Sequence, residues 1–240
     1  MRTAAALALL ALAATPLAAQ QAASKPADKP AAAAKADGHA HKADTTGHRA
    51  AFDNAPMGVL PEGWSARLDR GTDMSKMKFV VMDPGFHVTL GPAAIFWRAA
   101  DRANGAFHTV ATIHQMKAPA HPEGYGLFYG GQALDGEGQK YTYFLVRGDG
   151  TYLVKQRNGA ETTNVTEGWV EHAAVKKQDA EGKTMNKLEI DATGDQIRFL
   201  VNGQPVHTMA AAPGSRNGIV GLRMNHNLDL HVEGFEVHAQ

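Results

Sequence analysis

Tyr125 to Arg157, YGLFYGGQALDGEGQKYTYFLVRGDGTYLVKQR, reads as three successive β-strands. Tyr125 to Gly130 is short, aromatic and closed by a Gly-Gly break. Tyr141 to Arg147 is a run of aromatic and branched residues, and Thr151 to Gln156 follows the punctuation Gly148-Asp149-Gly150. Asp-Gly between two apolar runs is a strong hairpin signal, because the turn needs positive φ and these residues tolerate it. The middle of the chain is therefore an antiparallel meander.

The same reading extends outward in both directions. Before the meander, Trp64 to Leu68, Lys78 to Met82, Phe86 to Leu90 and Ala93 to Trp97 are short strands, and Arg98 to Gly105 is a loop. Ala106 to Met116 is the longest alternating segment. It sets Phe107, Thr109, Ala111 and Ile113 on one face and His108, Val110, Thr112 and His114 on the other. After the meander come Thr162 to Val165 and Trp169 to Val175, then Lys187 to Ala192 and Gln196 to Val201 as a hairpin. Asn202-Gly203 is the best two-residue turn of the chain. Pro205 just beyond it marks an edge or a bulge, since proline has no N–H for a ladder. Gly218 to Met224 and Leu228 to Val237 close the chain. About a dozen strands with frequent turns and almost no helical period predict an all-β fold. The expected solution is a two-sheet antiparallel sandwich or jelly roll.

The first fifty residues read differently. Met1-Arg2, the Ala/Leu run Ala4 to Ala14 and the small residues through Ala19 have the form of a secretory signal peptide, residues 1–19, which is too short for a permanent span. Residues 20–50 are rich in Ala, Lys, Pro and Asp and lack the apolar surface to offset ordering entropy, so they read as a disordered tether. His39, His41 and His48 in it are candidate metal ligands, with a plain solvated linker as the competing reading. Residues 51–240 are one domain's worth. The chain has no Cys, so no disulfide and no lipidated Cys support it. Lys plus Arg equal Asp plus Glu at 24 each, and there is no basic stripe to point to nucleic acid. A soluble exported protein without membrane insertion is expected, in the periplasm or outside the cell.

Framework motifs add a resemblance. They are Tyr125-Gly-Leu-Phe-Tyr-Gly-Gly, Tyr143-Phe-Leu-Val-Arg-Gly-Asp-Gly-Thr-Tyr-Leu-Val-Lys, Trp169, Asn186 to Gly203, Gly218-Ile-Val-Gly-Leu-Arg and Phe235-Glu-Val. Together they resemble the concanavalin A-like lectin and glucanase sandwiches, in the branch with laminin-G-like modules. Exported bacterial domains described as 3-keto-disaccharide hydrolase-like are the nearest of these in pattern. The resemblance spans roughly Trp64 to Val237 and implies carbohydrate as ligand. In some relatives it implies cleavage of glycosides oxidised at the third carbon. Such motifs specify a fold better than an activity.

Several residues are candidates for the site. Glu189-Ile190-Asp191 evokes the Glu-x-Asp-x-(x)-Glu strand of family 16 glucanases, but Ala192, Thr193 and Gly194 follow and the acid/base Glu is missing. That mechanism is rejected. His108 and His114 lie ~20 Å apart along one strand, too far for one metal. His114 alone is a candidate acid/base, against an ordinary polar sheet residue. Trp97, Tyr125, Tyr129, Tyr143 and Trp169 are candidate sugar-stacking platforms, with Arg147 and Glu123 as polar partners, although strand aromatics are more often core. Asn225, His226 and Asn227 form a polar tip for ligand or Ca²⁺, and Asp135 to Gly138 is an acidic Gly-rich loop. No Ca²⁺ motif is matched, and no cofactor is evident. Glycan binding, through a concave face or rim loops, ranks first. Hydrolysis or lysis of 3-keto-glycosides, with His114 as base, and an envelope protein-interaction module are the alternatives.

Overall fold

The computed structural model describes residues 45–240. The expected signal peptide, His39, His41 and the side chain of His48 lie outside the described part. One helix, α1 (Thr45–Asn54), begins inside the stretch read as tether. The strands are β1 (Trp64–Leu68), β2 (Met77–Val81), β3 (Phe86–Leu90), β4 (Ala94–Ala103), β5 (Phe107–Gln115), β6 (Tyr125–Gln132), β7 (Lys140–Val146) and β8 (Thr151–Asn158). They continue as β9 (Glu161–Asn164), β10 (Val170–Glu171), β11 (Thr184–Asp191), β12 (Gln196–Val201), β13 (Gln204–Ala210), β14 (Gly218–Met224) and β15 (Leu228–Ala239).

Every described ladder is antiparallel. One sheet runs β1-β4-β14-β6-β7-β8-β10, with β9 also on β8, and the other runs β13-β12-β11-β5-β15-β3-β2. The inward phases of both sheets form one core. β5 sends Phe107, Ala111 and Ile113 into it, β11 sends Leu188 and Ile190, and β12 sends Ile197, Phe199 and Val201. Period-two alternation is what buries one face of each strand.

The central turns behave as their residues require. β7 and β8 are joined through Gly148-Asp149-Gly150, with the Arg147 N–H donating to the Thr151 carbonyl and Gly150 at φ 92°. Asn202 and Gly203, at φ 51° and 78°, are both left-handed, the geometry of a type I′ hairpin. Proline 205 does mark both an edge and a bulge: β13 ends its sheet, and its register against β12 shifts between Phe199 and Leu200.

One loop expectation is corrected. Arg98 to Ala103 continue β4 rather than leaving it, although all six of these residues are charged or alanine. Ala103 and Arg102 pair with Gly218 and Ile219 of β14, and Arg98 donates to Asp101 at 2.6 Å while its guanidinium lies 5.1 Å from the Trp64 ring. Neighbours supply the strand here, overriding a weak local preference.

Candidate functional site

The outward phase of the β1–β10 sheet differs from that of its partner. Along β7, Thr142, Phe144 and Val146 point inward, so Tyr141, Tyr143 and Leu145 point out; on β14, Val220, Leu222 and Met224 point in and Arg223 points out. These outward residues are buried all the same. Tyr141, Tyr143, Leu145, Ile95, Phe128, Leu134 and Ile219 form a second, smaller apolar cluster, with Trp97 and Trp169 at its margins. The β6–β7 connection covers part of it, held where Arg67 donates to the Gly136 carbonyl. A β-carbon at Gly221 would meet the Phe128 ring at 2.5 Å, so this glycine makes room for that ring.

Arg223 lies within this layer, 6% exposed. Its two terminal nitrogens donate to the two oxygens of Asp69, each at 2.5 Å. Burial raises the Asp69 carboxyl, but the Arg223 hydrogen bond and the charges of Arg223, Arg157 and His226 outweigh it and hold the group below its usual value. Burial works against the Arg223 charge, and Asp69 reverses that, so its affinity for the proton is raised. The Arg223 guanidinium is 5.7 Å from the Tyr143 ring and 3.4 Å from the Asn225 side-chain oxygen. The Tyr143 phenol is raised by burial. Arg157, cross-strand from Tyr141, reaches to 3.6 Å of Asp69.

An open cleft of about 690 Å³ adjoins this pair, lined by Arg67, Asp69, Arg70, Glu137, Gln139 and Arg157 with Gly159 and Ala160. To one side, Glu123 and His226 face each other at 3.8 Å. The Arg147 guanidinium stacks 3.6 Å from the centre of the Trp169 ring, and Trp169 in turn lies against Gly124, where a β-carbon would be 2.6 Å from it. Burial lowers the Arg147 proton affinity against the pull of Asp149 and Glu123. Trp97 lines a neighbouring cleft of about 780 Å³ with Trp64, Leu134, Arg102 and Asp135.

Seven of the sequence candidates thus share this sheet face or its rim: Trp97, Glu123, Tyr143, Arg147, Trp169, Asn225 and His226. Tyr125 and Tyr129 are corrections. They take the inward phase of β6, 0% and 1% exposed between the sheets, where no sugar reaches; burial pushes the Tyr129 phenol up to about 12. His114 lies elsewhere. It sits on the outward face of the other sheet, its Nε2 3.2 Å from Glu233 and its ring 5.8 Å from that of His231. Nothing in the Arg223 cluster contains it. Glu189 and Asp191 are on that same opposite face, engaged by His108 and Lys187 and by Thr193 and Arg198. Among the described residues, no three His, Asp or Glu side chains are grouped to hold a metal ion. No described helix is long and apolar enough to cross a membrane.

Sequence reasoning missed Asp69, Arg157, Tyr141 and, above all, Arg223. A signal for it exists: Gly218-Ile-Val-Gly-Leu-Arg-Met is a strand buried along its length, and an Arg in such a strand demands a carboxylate.

No family model and no curated protein sequence matches the chain. Solved structures do. A carbohydrate binding module, CBM66, from Bacillus subtilis superposes with a TM-score of 0.54 at 11% identity, covering 73% of this chain and 95% of that one. A protein of unknown function with a galectin-like fold, also from Bacillus subtilis, gives 0.47 at 12% identity over 73% and 88%. Alginate lyase A1-II′ gives 0.47 at 12% identity over 73% and 94%. The fold of this chain is the two-sheet, concanavalin A-like sandwich.

Proposed function

We propose that this protein is an exported glycan-recognition domain that holds sugar in the Asp69–Arg157 cleft of the β1–β10 sheet. One observation carries the reading: the sheet's solvent side buries Arg223, Tyr141 and Tyr143, polar side chains that the core between the sheets does not use. Convergent guanidinium, carboxylate and amide groups line the cleft and suit sugar hydroxyls, while the buried Tyr143 ring packs beside Arg223 behind them. The likeness to a carbohydrate binding module supports the same class of ligand.

A second reading, cleavage of 3-keto-glycosides, draws on the Glu123–His226 pair beside the cleft. A ketone acidifies the neighbouring C–H, so a single base with a nearby partner is enough chemistry. It places the base at His226 rather than His114.

Calorimetric titration of the full chain with an oligosaccharide panel tests the first reading. 3-Ketolactose and 3-ketosucrose, assayed in parallel for released monosaccharide, test the second. Binding that weakens at least tenfold in Arg157→Ala, which lines the cleft, and is untouched in His114→Ala supports the site. A folded protein that binds none of the panel, or an Arg157→Ala variant that binds normally, overturns it. Release of sugar from the ketoglycosides, abolished in His226→Ala, makes the protein an enzyme.

A further inference from the structure

Resting on that reading of the cleft, we infer that the sugar it takes is acidic: a uronate or sulfated residue whose anionic group is seated among Arg157, Arg67 and Arg70.

The charge balance comes first. Four arginines, Arg67, Arg70, Arg157 and Arg223, meet two carboxylates, Asp69 and Glu137, at this cleft. Asp69 is committed to Arg223 in a two-point bond. Arg157 stands further off at 3.6 Å and otherwise donates, at 3.4 Å, to the neutral carbonyls of Gly159 and Ala160. Arg67 likewise donates to a neutral carbonyl, that of Gly136, and Arg70 is exposed at the rim. Three guanidinium groups therefore line the cleft beside a single remaining carboxylate, Glu137.

Unmet donors come second. The Nε of Arg157, the Nε of Arg223 and the hydroxyl of Tyr141 are all buried without a hydrogen-bond partner. They belong to neighbouring side chains, Tyr141 and Arg157 being cross-strand partners and Arg157 and Arg223 both reaching Asp69. Buried donors without acceptors are uncommon and costly, so three in one place mark a site short of acceptor atoms. A carboxylate or sulfate brings several acceptor oxygens and a negative charge, and its planar or trigonal edge fits a guanidinium fork. A neutral sugar presents hydroxyls, which are also donors and need acceptors in return. The cleft offers few of those: Glu137 and the Gln139 side chain remain once Asp69 is taken.

The test compares ligands that differ only in the anionic group. The full chain is titrated with oligogalacturonate and oligomannuronate, with the same oligomers after reduction of each carboxyl to a primary alcohol, and with a sulfated disaccharide. The expected result is at least tenfold tighter binding of one acidic series than of its reduced counterpart, with affinity falling as NaCl is raised. Arg157→Gln should remove that preference, and Arg70→Gln, at an exposed position that leaves packing intact, should reduce it severalfold. Equal binding of acidic and reduced oligomers overturns the inference and leaves glycan recognition standing. Binding of neither, by folded protein, overturns both.

Discussion

Arg223 on β14 and Asp69 just after β1 lie 154 positions apart in the chain and meet in a two-point ion pair on the solvent side of one sheet. Strand β4 separates the elements that carry them, so the pair spans three strands of the β1–β10 sheet. Removing one partner is far costlier than removing both, because it strands a buried charge. Asp69→Asn should therefore destabilise the fold by about 3–5 kcal/mol at neutral pH. A double replacement, Asp69→Leu with Arg223→Leu, should cost clearly less than that. Urea denaturation followed by circular dichroism decides it, and equal losses in both variants would refute a paired charge.

The same pair sets an acid dependence. Because the Asp69 carboxyl is held below its ordinary value in the folded state, the stability it contributes is present above the unfolded value, near 3.8, and is lost as pH falls through the lower folded value. Asp69→Asn should flatten the decline of stability between about pH 5 and pH 2 relative to wild type. Unfolding midpoints measured at half-unit intervals would reveal it.

His231 has the opposite chemistry and a higher window. Burial lowers its proton affinity below 6.5, the positive fields of His87 and His114 add to this, and Glu233 and the Pro84 backbone only partly oppose it. The unfolded chain then takes up the proton first. Stability conferred by the neutral ring is present above about 6.5 and declines as pH falls through the folded value. His231→Gln should remove part of the stability loss seen between pH 7 and pH 5. An unchanged slope would show that the ring is not desolvated as described.

Trp169 is held over Gly124 so closely that a methyl group there has no room. Gly124→Ala should displace the indole and break its stack with Arg147, shifting tryptophan emission to the red while the far-ultraviolet spectrum is preserved. The loss of the cation–π contact should also lower stability by about 1 kcal/mol. Unaltered emission would count against the packing.

Asn202 does more than turn the chain. Its side chain donates to the Ala174 carbonyl and to the Asn186 oxygen, both under 3.0 Å, and accepts from the Lys187 N–H at 3.0 Å, while its backbone sits at φ 51°. Asn202→Ala loses all three bonds and keeps a disfavoured φ, for an expected loss of about 2–4 kcal/mol. Asn202→Gly restores the backbone and should recover about 1 kcal/mol of it. Thermal melts of the two variants provide the comparison.

The two sheets were legible because turns and alternation are local. Phe86 to Leu90, Gln196 to Val201 and Gly218 to Met224 agree residue for residue with β3, β12 and β14. The site was half legible. Tyr125, Tyr129 and Tyr143 look alike in sequence, and only phase against the inter-sheet core separates the first two from the third. That phase shows once Phe144 and Val146 are placed inside. Asp69 was not legible at all, since nothing near it in sequence announces the arginine it meets. Charged Arg98 to Ala103 hid a strand for the same reason: its partners on β14 lie more than a hundred residues away.

Pro205 and the register shift beside it bear on how copies of this protein meet one another. An exposed outer strand with free N–H and C=O groups is a template on which a second molecule can zip. On β13 the proline withholds one donor and the extra residue bends the ladder, so the rim there offers no straight row to copy. The opposite rim, β2, is guarded differently: the Gly58 N–H donates to the Met77 carbonyl at 2.8 Å and Lys78 reaches across to the Phe52 carbonyl, so part of that row is already taken.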